Sequence, residues 1–138
     1  MAEFKYDVIT TDVLVIGGGG AGAKAALEAY KAGANVVLAL KGKLGESGAT
    51  CHRVSNSSGL QAATGENDSD DSPEQHYQDI VNAALGVCKP SLARLVAENA
   101  PRIVCELESM GIKFAEKDGR KLVFKGCHSS RSRAHSIL

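Results

Sequence analysis

Residues 11–22 read TDVLVIGGGGAG, and the parsing of that stretch decides the fold. Its first half is short, apolar and β-branched, the pattern of a strand buried on both faces of a parallel sheet. It runs without a spacer into Gly17, Gly18, Gly19, Gly20, Ala21 and Gly22. Residues 23–32 are rich in alanine with Leu27 and Tyr30, good helix material, and Gly33 supplies a stop. A second apolar run, VVLAL, occupies 36–40. Strand, glycine turn, helix and strand make one βαβ unit, so the expected class is α/β with an incomplete Rossmann-like unit.

Within Gly17-x-Gly19-x-x-Gly22 each glycine has a separate reason. The first permits a tight turn, the second lets the backbone approach a pyrophosphate, and the third lets helix and strand pack closely. A helix N-terminus placed there adds unpaired N–H groups and the positive end of its dipole. The same fingerprint expects an acidic residue at the end of the second strand to accept from ribose hydroxyls. Leu40 stands there instead, followed by Lys41. A missing charge-assisted hydrogen bond costs about 1.5–3 kcal/mol, so Leu40→Glu is expected to tighten dinucleotide binding.

Outward from this unit, residues 1–10 read as an extended lead-in. Residues 41–65 read as a long loop rich in Gly, Ser and Asn; loops of that length usually carry function. An acidic patch at 66–71 precedes Ser72-Pro73-Glu74-Gln75, a helix start with Ser at the N-cap, Pro at the first position and Gln closing a capping box. That helix carries Tyr77, Ile80, Val81, Ala84 and Leu85 on one face and ends near Gly86. A second begins at Pro90, carries Leu92, Leu95, Val96, Ile103, Val104, Leu107 and Met110, is kinked or split at Pro101, and ends at Gly111. Asp118-Gly119 between alternating runs predicts a hairpin across 112–124. The tail from 125 reads as polar, basic and solvated.

The chain has 138 residues, 43% hydrophobic and 23% charged, and its 16 Lys+Arg balance its 16 Asp+Glu. That charge balance gives no overall pull toward nucleic acid or anionic lipid, and no aromatic interleaving accompanies the basic residues near the C-terminus. No apolar run approaches the roughly 20 residues of a membrane span, so direct membrane insertion is not expected. Cys51, Cys88, Cys105 and Cys127 lack C-x-x-C spacing and read as reduced thiols in a chain without an export leader. No metal site is expected: His76 lacks a second ligand one turn on, and Cys127, His128 and His135 lack a fourth.

Taken together, these residues resemble the flavoprotein subunits of succinate dehydrogenase and fumarate reductase, and L-aspartate oxidase. The resemblance begins with residues 11–50. It continues in Ser58-Gly59-Leu60-Gln61-Ala62-Ala63 (the family's G-G-I-N-A-A) and in Asp71-x-Pro73-Glu74-x-His76-x-x-Asp79. Glu106-Leu107-Glu108-x-x-Gly111-Ile112-x-Phe114 and Gly126-Cys127-His128-Ser129-x-Arg131 complete it. It implies an FAD-dependent oxidoreductase that moves a hydride between flavin and a carboxylate-bearing substrate, with an electron-transfer partner subunit. It also implies a much longer parent, of which this chain is an N-terminal piece unable to complete a turnover alone. Residues 1–65 would start the FAD-binding Rossmann-like domain, and 66–138 would supply a helical segment, hairpin and basic tail of the same domain.

By the resemblance, Gly17, Gly18, Gly19, Gly20, Ala21 and Gly22 carry the FAD pyrophosphate, and Lys41 neutralises phosphate or adenine-side charge. Ser47, Gly48, Ala49 and Thr50 wrap the phosphate and ribityl region, while Gly59, Gln61 and Ala62 pass along the isoalloxazine. His128 and Arg131 are the weak catalytic candidates, set against a plain solvated tail. Some family members attach flavin through a histidine. His52 falls near that position in one register, but Arg53 and Ser55-Asn56-Ser57 depart from the family pattern, so noncovalent FAD is expected. The location implied is cytoplasmic, or the inner face of a membrane through a partner. The alternative is a non-catalytic dinucleotide-binding or structural remnant of such an enzyme.

Overall fold

The computed structural model describes residues 7–46, 50 and 58–138. Contacts divide the chain into two units, Met1–Val54 and Ser55–Leu138.

In the first unit, β1 (Val13–Ile16) pairs in parallel with β2 (Val36–Ala39), Val13 opposite Val36, and α1 (Gly20–Lys31) makes the crossover. Both strands are pinned at their start. The Thr11 hydroxyl donates to the Asn35 carbonyl at 2.6 Å, and the Asn35 N–H donates to the Asp12 carboxylate at 2.8 Å. α1 begins three residues before the alanine-rich run, because the glycines themselves form its first turn: the Ala23 N–H donates to the Gly19 carbonyl at 2.9 Å. It closes at Gly33 by paired bonds, Gly33 N–H to Tyr30 O and Ala34 N–H to Ala29 O, the Schellman pattern. The expected double-sided burial of β1 is not met, since Ile16 is 82% exposed. One helix covers one face of a two-stranded sheet, so Val13 and Val15 are half-buried while Leu14 and Ile16 stand out.

The second unit joins a three-stranded antiparallel sheet to two helices. Its elements are β3 (Ser58–Gln61), α2 (Pro73–Ala83), α3 (Pro90–Ser109), β4 (Glu116–Lys117), β5 (Arg120–Lys121), β6 (Val123–Lys125) and β7 (Ser132–Ile137). The sheet order is β3-β7-β6. Two sequence expectations are corrected here. Residues 58–61 are a strand rather than loop, and their partner is β7 at the other end of the chain, with Gly59 opposite Ser136. The tail is not solvated: β7 is the central strand, and Arg133 and His135 on it are each 1% exposed. Four residues of strand with so distant a partner leave no local period to read.

α2 starts as its sequence dictates, Ser72 Oγ accepting from the Gln75 N–H at 3.2 Å with Pro73 at the first position. The Gln75 side chain, however, donates to Asp79 Oδ1 at 3.3 Å instead of returning to the cap. The fully buried residues of α2 are His76 and Asp79, while Tyr77, Ile80, Val81 and Ala84 of the apolar face are half-buried. Leu85 is 88% exposed and takes the left-handed position after the helix, at φ 48°. α3 is one continuous 20-residue helix through Pro101. It buries Ala93, Ala97, Ala100 and Val104, whereas Leu92, Leu95, Val96 and Met110 remain exposed. Small residues win the interior face because α2 packs closely against it. α3 ends with Gly111 N–H on Glu108 O and Ile112 N–H on Leu107 O.

Ala62, Ala100, Val104 and Phe114 form the core between sheet and α3, flanked by Leu60, Leu107 and Ile137. The Asp118-Gly119 hairpin is present, both residues at positive φ and Glu116 opposite Lys121, as a type I′ turn requires. Among the described residues no helix is long and apolar enough to cross a membrane.

Candidate cofactor site

The glycine turn links β1 to α1. The Gly17 N–H donates to the Ala39 carbonyl at 2.9 Å, which ties the turn to the end of β2. Gly17 lies at φ +105°, a backbone that a side chain resists. A Cβ on Gly22 would be driven into the Gly17 carbonyl oxygen, so helix and strand approach this closely only without one. Among the described residues, a Cβ on Gly19 would meet nothing within 4 Å.

The mouth of α1 presents backbone donors. The first N–H groups of any helix lack intrahelical partners, and here the N-cap is Gly19, with no side-chain cap and no acid in the first turn. The Gly20 N–H donates to Thr50 Oγ1 at 3.2 Å, so Thr50 stands over the cradle. A pyrophosphate suits this arrangement: an anion, close backbone, several N–H donors and no competing carboxylate. The residues present fit FAD in this respect. Lys41 is exposed just past β2. Ser47, Gly48 and Ala49 lie outside the described residues, as do Cys51 and His52. Leu40, in the acid's place, lays its side chain over Gly18 beside Leu44, so a Cβ on Gly18 would collide with it.

In the second unit a groove of about 550 Å³ is lined by Leu60, Gln61, His76, Ile80, Val96 and His128, among others. The structure brings Gln61 and His128 together here. The turn after Gly126 has its Ser129 N–H on the Gly126 carbonyl at 3.2 Å and His128 at φ 61°. Ser129 Oγ donates to Gln61 Oε1 at 2.6 Å. Of the other two residues of the β3 segment, Gly59 faces β7, where a Cβ would stand 3.0 Å from the His135 carbonyl, and Ala62 is in the core. Arg131 does not line the groove; it pairs with Asp68 at 3.1 Å.

Behind the groove lies a charge cluster that sequence reasoning missed. Arg133 Nε and a terminal nitrogen donate to the two oxygens of Asp71 at 2.9 and 2.6 Å, and its other nitrogen donates to Asp79 at 2.6 Å. Asp79 Oδ2 also accepts from the Ser130 N–H at 2.8 Å and the Ser130 hydroxyl at 2.9 Å. Burial by itself would raise the Asp79 carboxyl, but these donors and Gln75 outweigh it and hold the group below the usual carboxylate range. Burial pushes His76 down from its ordinary 6.5, Arg133 acting in the same sense and Asp71 and Asp79 against it. His76 Nδ1 is buried without a hydrogen-bond partner among the described residues. His135 donates from Nδ1 to the Arg133 carbonyl at 2.9 Å, and its Nε2 lies 3.4 Å from the Thr64 hydroxyl. The available signal was the three-residue step from His76 to Asp79, which puts both on one helix face.

Residues 12–136 match the family described as FAD binding domain. Over 130 residues the chain is 35% identical to the L-aspartate oxidase of Streptomyces coelicolor, covering 93% of this chain and 21% of that protein. It is 32% identical to the fumarate reductase flavoprotein subunit of Mycobacterium tuberculosis, covering 81% and 18%. Among solved structures, the Mycobacterium smegmatis Sdh1 complex in the apo form aligns with TM-score 0.82 at 31% identity, over 92% of this chain and 21% of that one. The chain belongs to the FAD-binding domain family, and FAD is its cofactor. It spans about a fifth of the length of the curated relatives it matches.

Proposed function

We propose that this chain is the FAD-holding N-terminal part of an oxidoreductase that moves a hydride between flavin and a carbon beside a carboxylate. The observation that carries the reading is an α1 N-terminus with glycine at its cap position and no acid in its first turn, over a turn where Gly22 has no room for a Cβ. When bound, FAD supplies the hydride-accepting and hydride-donating chemistry. The chain's own residues bind and orient: residues 17–22 take the pyrophosphate, with Ser47, Gly48, Ala49, Thr50 and Lys41 around the same phosphates. Gly59, Gln61 and Ala62 belong to the flavin-side segment, with His128 beside it.

The relatives named aspartate oxidase and fumarate reductase support a small carboxylate as substrate, and the solved complexes support an electron-transfer partner. The protein works in the cytoplasm or at the inner face of a membrane through that partner. FAD is held noncovalently. Titration with FAD against NAD(H) tests the assignment: tight binding of FAD and a yellow protein are expected, and a colourless protein that prefers NAD(H) overturns it. Acid precipitation should release the flavin to the supernatant; flavin kept in the pellet and lost in His52→Ala overturns noncovalent binding. Leu40→Glu should tighten FAD about tenfold, from a regained hydrogen bond of ~1.5 kcal/mol; unchanged or weaker affinity in the same titration counts against it.

A further inference from the structure

The Gln61 side chain is held on two sides. Its Oε1 accepts a 2.6 Å hydrogen bond from the Ser129 hydroxyl. Its amide also lies close to Gly126, where a Cβ would stand 2.8 Å from Nε2 and 3.1 Å from Cδ. Ser129 is buried, and the next residue, Ser130, is anchored through both its N–H and its hydroxyl to Asp79 on α2. Asp79 is fixed in turn by Arg133, which is locked by two bonds to Asp71. A chain of short bonds therefore runs from the buried charge cluster to one amide. That amide lines the groove beside His128.

An amide has one acceptor oxygen and two N–H donors. Here the oxygen is engaged by Ser129, and among the described residues no acceptor is paired with Nε2. We propose that Gln61 is a binding residue that offers only donors, and that it recognises an acceptor oxygen or unprotonated ring nitrogen on what occupies the groove. Ser129 is the positioning residue that keeps the amide from turning over. The proposal rests on the flavoenzyme reading, in which the acceptor belongs either to the flavin ring or to a substrate carboxylate.

Calorimetric titration of the full chain with FAD, then of the FAD-loaded chain with malonate as a probe dicarboxylate, tests it. Gln61→Glu replaces the donors with a charged acceptor at a half-buried position and leaves the fold intact. Weakening of FAD by about tenfold or more places the acceptor on the flavin, and weakening of malonate alone places it on the carboxylate. Either result supports the proposal. Ser129→Ala should weaken the same ligand less, and should have no further effect in a Gln61→Leu background. A merely structural Ser129 would add its full loss there, and that result overturns the positioning role. If wild type binds FAD and Gln61→Glu changes neither ligand, the donor role fails while the FAD reading stands. If wild type binds neither ligand, both fail.

Discussion

The two units use polar groups in opposite ways. In the first, none of the described residues is fully buried, and the functional groups are backbone N–H donors at the mouth of α1, where the N-cap is a glycine and the Thr50 hydroxyl takes one of them. In the second, Arg133 and Asp71 lie in the interior and every donor of the guanidinium that carries a bond is directed at a carboxylate. Exposed donors cost little because water satisfies them until an anion arrives. Buried charges tolerate no such vacancy, and must be paired within the fold. A ligand cradle can thus be built from local spacing, whereas a buried ion cluster needs residues from distant parts of the chain.

Removing the cation should produce the largest effect. Arg133→Met strands Asp71 and Asp79 in the interior and is expected to cost about 3–5 kcal/mol, read as a lowered urea midpoint. A loss below about 1 kcal/mol would show that the cluster behaves like a surface pair. Gly22→Val attacks the other unit. Overpacking against the Gly17 carbonyl should cost about 1–3 kcal/mol and lower FAD affinity at least tenfold by fluorescence titration. Hydrogen-exchange protection of the Ser130 amide, in the second unit, should be unchanged; a loss there would mean that the units are not separable in this way.

Acid should find the second unit first. His76 has a folded pKa below its ordinary 6.5, so the unfolded chain binds a proton more readily, and stability falls as pH drops from about 6.5 through the folded value. Asp79 is also held low; its contribution is present above its ordinary 3.8 and fades below that, as pH falls through the folded value. Denaturation midpoints across this range should decline in two stages, and His76→Gln should remove the upper one. A flat profile from neutrality to about pH 5 would contradict a buried neutral His76. The smallest effect expected is a gain. Leu85 is 88% exposed at φ 48°, so Leu85→Gly should stabilise by about 0.5–1 kcal/mol, seen as a modest rise in Tm.

The βαβ unit, the Ser72 cap with Pro73, the helix stops at Gly33 and Gly111, and the Asp118-Gly119 hairpin are all legible in the order of the residues. Each depends on residues within a few positions of one another, where sterics and backbone hydrogen bonding act directly. The same holds for the glycine cradle, because the demand that Gly22 lack a Cβ arises from Gly17, five residues away. Long-range packing is what makes residues 58–61 a strand, turns the alanines of α3 inward in place of Leu92 and Leu95, and makes the basic tail a central strand. Arg133 and His135 look like solvated residues in a polar stretch until Asp71, Asp79 and Thr64 are brought to them. Burial of a charge is a property of its partners, and those partners lie more than fifty residues away along the chain.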